Sequence, residues 1–130
     1  MRIKLNSIFV DNQDKALKFY TDILGFRKSK EIPVGEFKWL TVASADGPSD
    51  VELVLEPNAN PAAKQFQEAI FKQGIPITAF EVDDIHSEYE RLKARGVLFT
   101  MEPAAAGPVL ISNFPIRAGI SSSYTSLIGD

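Results

Sequence analysis

The 130-residue sequence predicts an α+β fold made of two βαβββ modules within a single domain. Three observations predict it. Segments rich in Val, Ile, Leu and Phe, which are typical of strands, flank segments with the apolar spacing of helices. The order of these elements occurs twice, because Val10–Asn12 is matched by Val82–Asp84, 72 residues later. Each match is followed by a helical segment that ends in glycine, Gly25 or Gly96, and then by another strand-like segment.

The first module, residues 1–56, shows a strand, a helix and three further strands. Residues 2–10 alternate between apolar and polar side chains and form the first strand. Asp11 or Asn12 can cap the helix that follows. The apolar stripe of this helix comprises Ala16, Leu17, Phe19, Tyr20, Ile23 and Leu24. Further strands are expected near residues 26–32, 37–44 and 51–57, with a turn of breaker residues at 45–50.

A connector helix within residues 57–74 is expected to join the modules, with Asn60 as its cap, Pro61 at its first position and Gly74 at its end. The second module, residues 75–130, repeats the pattern of the first. It has a strand at 77–82, a helix capped by the Asp83–Asp84 pair, and a strand at 97–103. Residues after about 109 are atypical, because they contain few charged side chains.

Composition limits the class of protein. The chain has no cysteine, which excludes disulfides, thiolate metal ligands and a thiol nucleophile. Its net charge of −3 argues against nucleic acid or an anionic membrane as a partner. No apolar run approaches the roughly 20 residues that span a bilayer, and residues 1–15 lack the apolar stretch of a signal peptide. We therefore expect a cytoplasmic protein.

Five segments carry a resemblance to a known family: VDNQDKALKFYTDILGF, FKWLTV, VELVLEP, FEVDDIHSEYERLKARGV and EPAAAGPV. Together they resemble the vicinal oxygen chelate superfamily, which includes glyoxalase I, bleomycin-resistance proteins and extradiol dioxygenases. The likeness covers residues 1 to about 109, and the helix end FYTDILGF is its most specific part. It implies a curved mixed sheet around a half-open cleft. It also implies a homodimer, since superfamily members commonly pair with their clefts at or near the interface.

The resemblance also locates the positions at which metal-dependent superfamily members hold an ion, usually with His, Gln or Glu. The first three positions fall on Leu5, Glu52 and Ile77, and the fourth falls in the tail. Leucine and isoleucine have no donor atom, and one carboxylate does not satisfy a cation that needs several oxygen or nitrogen ligands. The resemblance therefore implies a site with no metal ligand and no cofactor.

The tail after Val109 departs from the superfamily, whose last strands usually contain an Asp, a Gly-Asn turn and a closing strand. Codons permitted for residues 113–125, read two bases further on, translate as F-P-D-T-C-G-N-L-I-Q-L-Y. This is the expected ending at the expected distance from Gly107–Val109. The hypothesis is a frameshifted C-terminus, and the alternative is natural drift in a terminal strand. Both versions have strand character, with Pro115 and Gly119 marking a turn.

Side-chain alternation groups the residues of one sheet face. If Glu52 faces the cleft, Val54 lies beside it, whereas Leu53 and Leu55 pack under the helices. With the usual register of the superfamily, this parity gives nine ligand-binding candidates: Leu5, Ser7, Trp39, Thr41, Glu52, Val54, Ile77, Ala79 and Glu81. Such a face suits an aromatic or cationic organic molecule. The alternative is that Trp39 is a core residue and Glu52 forms a local salt bridge.

Candidates for catalysis are few. The single histidine, His86, falls in the first turn of the second module's helix, where a solvated position is expected. The sequence has no Ser-His-Asp arrangement and no glycine-rich phosphate loop. Glu52 is the one candidate, as a general base whose pKa would be raised by an apolar cleft.

These observations favour a metal-free small-molecule binding protein of the bleomycin-resistance-like type. It would sequester or sense an amphipathic ligand, such as a cationic aromatic molecule that stacks on Trp39 and meets Glu52. One alternative is a glyoxalase-like metal-dependent lyase or isomerase that uses Glu52, with a metal site completed by the partner subunit or the tail. Another is a folded relic without a working site.

Overall fold

The computed structural model describes residues 1–47 and 50–130. Within these residues it contains two mixed four-stranded sheets and three helices, arranged as two βαβββ modules. The predicted α+β fold is therefore confirmed. The turn expected at residues 45–50 lies partly outside the described residues, which exclude Pro48 and Ser49.

The two modules have equivalent topologies. The first comprises β1 (Leu5–Val10), α1 (Gln13–Lys18), β2 (Arg27–Val34), β3 (Phe37–Ala43) and β4 (Glu52–Pro57), with the strand order β1-β4-β3-β2. After α2 (Pro61–Lys72), the second comprises β5 (Pro76–Val82), α3 (Ile85–Ala94), β6 (Met101–Ala106), β7 (Val109–Ile116) and β8 (Ser123–Gly129), in the order β5-β8-β7-β6. In each sheet the first and last strands of the module are parallel neighbours.

Local sequence signals set the ends of α1. Asn12 is the N-cap, and its Oδ1 accepts a hydrogen bond from the backbone N–H of Lys15 at 2.9 Å. The helix continues as a π-helical turn over Phe19–Ile23. The chain then reverses at Gly25, whose φ of 90° lies in the left-handed region that glycine adopts without steric cost.

The other two helices follow their predicted caps. Asp84 caps α3 by accepting from the N–H of Ser87 at 3.1 Å, and Asn60 accepts from the N–H of Ala62 at 2.9 Å ahead of α2. Pro61 occupies the first position of α2, where its missing N–H removes no helical hydrogen bond. None of the helices in the described part of the chain is long and apolar enough to cross a membrane.

The strand after α3 begins at Met101, later than the sequence predicts. Val97 instead closes the helix, because its N–H donates to the carbonyl of Leu92 at 3.0 Å. The ring of Phe99 packs against that of Phe114, with centroids 5.2 Å apart. Val97 therefore closes α3 and Phe99 packs in the core of the second sheet, although both residues suggested a strand.

The atypical tail forms two paired strands. β7 and β8 run antiparallel, from Leu110 opposite Gly129 to Ile116 opposite Ser123. Buried and partly exposed residues alternate along both strands, and the buried apolar residues are Phe114, Ile116 and Leu127. The tail therefore supplies two of the four strands of the second sheet and a large part of its core.

The chain divides into two compact units whose limits differ from those of the sequence modules. The first unit contains residues 1–65 and 118–121, and the second contains residues 66–117 and 122–130. The boundary crosses α2. The turn between β7 and β8 belongs to the first unit, because the carbonyl of Ile120 accepts from the N–H groups of Asp11 at 2.9 Å and Asn12 at 3.3 Å.

Candidate functional site

The register of the first sheet places six predicted site residues on one face. Leu5 lies opposite Glu52, Ser7 lies opposite Val54, and Thr41 also lies opposite Val54. Trp39 precedes Thr41 by two residues, so its side chain has the same orientation. We call these six residues the candidate face. The opposite face carries buried apolar residues that pack beneath α1, namely Ile8, Val10, Leu40, Val42 and Leu55.

Access to the candidate face is uneven. Thr41, Val54 and Glu52 are buried, whereas Leu5 and Trp39 retain 43% and 37% of their exposure. Trp39 is therefore not a core residue, and its indole can meet a ligand. The buried members belong to the same face but do not offer a free surface.

An exposed apolar strip extends from Trp39 along the hairpin of β2 and β3. Ile32 lies opposite Trp39, and Val34 lies opposite Phe37, so these four side chains share the candidate face. All four are exposed large apolar residues. A contiguous apolar surface of this kind usually marks a site of binding. We call these four residues the apolar strip.

Glu52 is engaged within its own sheet. Its carboxylate accepts two hydrogen bonds from the ammonium of Lys30, at 2.9 Å to Oε2 and 3.1 Å to Oε1. It also accepts a hydrogen bond from the hydroxyl of Ser29. The Glu52 side chain is 4% exposed, whereas that of Lys30 is 48% exposed. The salt bridge considered from the sequence is therefore present, and the carboxylate is not free to meet a cationic ligand alone.

These contacts determine the ionisation of Glu52. The hydrogen bond from Ser29 and then that from Lys30 lower its pKa below the ordinary value, because both donors stabilise the carboxylate; burial opposes them with a smaller effect. A general base needs a carboxylate whose pKa is raised towards the working pH. The raised pKa expected for a catalytic Glu52 is therefore wrong, since the shift has the opposite direction.

A β-bulge brings Lys30 to this face. Lys28 lies opposite Val42 and Lys30 lies opposite Thr41, so one extra residue, Ser29, stands between two adjacent partners. Strict alternation would place Lys30 on the same face as Lys28, which is the face that carries Val42. The bulge instead turns it towards the candidate face. Sequence reasoning missed both Ser29 and Lys30, because the alternating pattern gives no signal for a bulge at this position.

The three predicted residues of the second module share the first strand of the second sheet. Ala79 lies opposite Ser126, and Glu81 lies opposite Ile128. Ile77 lies at a shift in the register between β5 and β8. All three side chains are exposed. Ser126 Oγ donates to Asn113 Oδ1 at 2.6 Å, which adds a polar pair to this face.

The residues at the metal positions of the superfamily do not fit a metal ion. Leu5 has no donor atom and stands directly opposite Glu52, whose carboxylate is bound by Lys30 and Ser29. In residues 1–47 and 50–130, no three His, Cys, Asp or Glu side chains converge at a site suitable for a metal. A divalent cation would have to displace the Lys30 ammonium and would still find a single carboxylate.

Comparison with known proteins gives the family. Residues 2–110 match the model of the Glyoxalase/Bleomycin resistance protein/Dioxygenase superfamily. The chain belongs to this superfamily, and the resemblance to the vicinal oxygen chelate proteins is confirmed.

One sequence relative and two solved structures are similar to nearly the whole chain. The chain is 50% identical over 119 residues to the Bacillus subtilis (strain 168) protein YurT, with 92% of this chain and 94% of YurT covered. Among solved structures it is similar to UcmS2, with a TM-score of 0.82 and 32% identity over 98% of this chain and 97% of UcmS2. It also shares the fold of TnmS3, an antibiotic binding protein from Streptomyces sp. CB03234, with a TM-score of 0.77 and 23% identity over 99% and 95% of the two chains.

Proposed function

We propose that this protein binds a small amphipathic organic molecule without a metal, and so sequesters or senses it. The observation that carries the proposal is the exposed apolar strip, which lies beside the polar cluster of Ser29, Lys30 and Glu52. Apolar side chains with a few convergent polar groups are the usual composition of a small-molecule site. TnmS3 is a member of the same fold that binds an antibiotic, which is compatible with this function.

The proposed contacts are those of the candidate face, with Trp39 as the stacking residue. Leu5 and Ser7 are exposed at the same face and would contact the ligand directly. The remaining candidates, Thr41, Glu52 and Val54, would act by shaping the face. Ile77, Ala79 and Glu81 are proposed as ligand contacts of the exposed face of their own sheet. A cytoplasmic location, as the composition suggests, and a homodimer, as the resemblance implies, are also parts of the proposal.

Calorimetric titration tests this function with a set of naphthalene probes: 2-naphthoate, 2-naphthamide and 2-naphthylmethylammonium. We expect saturable binding of at least one probe, with about fivefold weaker binding in Trp39→Leu, because stacking on an indole contributes on the order of 1 kcal/mol. Phe66→Leu is the matched control, since Phe66 is an exposed aromatic residue on α2. The proposal is wrong if no probe saturates, or if both variants bind as the wild type does.

The origin of the tail is part of the proposal, namely a shifted reading frame after about Val109. The match to the superfamily model ends at residue 110, where the family pattern is lost. The tail also buries three hydroxyl side chains in β7 and β8, on Ser112, Ser123 and Thr125, and Thr125 Oγ1 has no hydrogen-bond partner in the described part of the chain. Burial of an unpaired hydroxyl costs free energy, so Thr125 is unusual for a selected core. Ser112 differs, because its Oγ donates to the carbonyl of Met101 at 2.6 Å.

Sequencing the gene around codon 110 tests the shifted frame. We expect that a one-base insertion or deletion there restores an ending with Asp, a Gly-Asn turn and a closing strand. A gene in which no single-base change restores this ending would show instead that the terminal strands have drifted.

A further inference from the structure

The polar group that the candidate face offers to a ligand is cationic. Glu52 is buried and held by Lys30 and Ser29, so its carboxylate already has its hydrogen-bond donors. Lys30 differs, because nearly half of its side chain is exposed. An ammonium carries three N–H donors, and Glu52 takes two of them. The third is available to an acceptor on a ligand.

Lys30 and Trp39 are also placed to act on one molecule. Lys30 lies opposite Thr41, and Trp39 precedes Thr41 by two residues, so the two side chains are diagonal neighbours on adjacent strands. Diagonal neighbours on one face are separated by about 7 Å at the backbone, within reach of long and aromatic side chains. Both side chains are long enough to contact one small molecule that lies across the two strands.

The ion pair with Glu52 makes Lys30 a positioned donor. A free lysine on an edge strand samples many rotamers, whereas the two hydrogen bonds to Glu52 fix the ammonium before a ligand arrives. Other charged groups near this face are Lys4, whose charge acts on the Glu52 carboxylate, Arg27, which lies opposite Ala43, and Glu56, which accepts from Ser7 Oγ at 2.8 Å. The cations Lys4, Arg27 and Lys30 outnumber the carboxylates Glu52 and Glu56 by one, so the net charge of this group is positive and favours an anion.

We propose that Lys30 and Trp39 together recognise an aromatic ligand that carries a carboxylate or a similar anionic oxygen, with the ring on Trp39 and the oxygen on the Lys30 ammonium. This inference rests on the proposed binding function and defines the chemical class of the ligand. It replaces the cationic aromatic ligand that the sequence suggested, because that ligand required a free Glu52.

The same three naphthalene probes separate this inference from the function itself. We expect 2-naphthoate to bind the wild-type protein about tenfold more tightly than neutral 2-naphthamide, and 2-naphthylmethylammonium to bind more weakly than either. Lys30→Met should remove the preference for 2-naphthoate, and Lys30→Arg should retain most of it. The preference should also decrease as the salt concentration is raised.

Lys38→Met is the matched control, because it removes the same charge from the other face of β3, where Lys38 pairs with Asp14 at 2.6 Å. This variant should keep the preference for 2-naphthoate.

Binding of the probes that depends on Trp39 but not on their charge would overturn the inference and leave the binding function intact. A preference for the cationic probe, or an equal loss in Lys38→Met and Lys30→Met, would also overturn it. Absence of binding by any probe would overturn both proposals. If Lys30→Met fails to fold, the wild-type ranking and its salt dependence decide the question.

Discussion

Phe114→Ala is expected to lower the free energy of unfolding by about 3–5 kcal/mol, the usual cost of removing a buried phenylalanine ring. Phe114 is fully buried in β7, in the centre of the second sheet, and its ring packs against that of Phe99. The substitution would leave a cavity between the sheet and α3. Equilibrium urea unfolding followed by circular dichroism measures this change.

The effect of Phe114→Ala also tests whether the atypical tail is part of the folded core. Phe66→Ala is the matched control, because Phe66 is 55% exposed and its removal should cost less than about 1 kcal/mol. Similar midpoints for the two variants would mean that β7 does not pack as described. They would also mean that the stable fold ends near Val109, where the resemblance to the superfamily ends.

Lys30→Met is expected to destabilise the protein by about 1–3 kcal/mol at neutral pH, because it leaves the buried carboxylate of Glu52 without its ammonium partner. We expect the destabilisation to lie in the lower part of this range, because Lys30 is exposed and solvent screens its charge. Glu52→Gln should cost less, because the amide oxygen still accepts from Ser29 and Lys30. Thermal or urea unfolding of both variants measures the difference.

The pH dependence of these variants follows from the lowered pKa of Glu52. The stabilisation from this group is fully present above its ordinary pKa of 4.5 and is lost as the pH falls through the lower pKa of the folded state. Lys30→Met removes one of the two hydrogen-bond donors that lower the pKa of Glu52, while Ser29 remains. The difference in stability from wild type should therefore shrink as the pH falls towards and below the ordinary pKa of 4.5. The stability difference between Glu52→Gln and wild type should also shrink, but only in the acidic range where wild-type Glu52 is protonated. A Lys30→Met difference that is constant from pH 7 to pH 3 would contradict this account.

Local interactions explain which parts of the fold could be predicted. The caps Asn12, Asn60 and Asp84 and the glycine at residue 25 act within a few residues of chain, so each leaves a readable signal. The start of β6 could not be read in this way. Val97 has the composition of a strand residue, but its contact with Leu92 places it at the end of α3.

The sequence by itself determined the two modules, their order of elements and the parity of the candidate face, because strand alternation and helical spacing are properties of consecutive residues. The usual register of the superfamily then placed Trp39 on the same face as Glu52. Only the tertiary structure decided what surrounds Glu52. The bulge at Ser29 shifts the register of β2 by one residue against β3, and this shift moves Lys30 from the helix side to the side of Glu52. Pairing between strands that are distant along the chain fixes such a shift, and it changes the expected ligand from a cation to an anion.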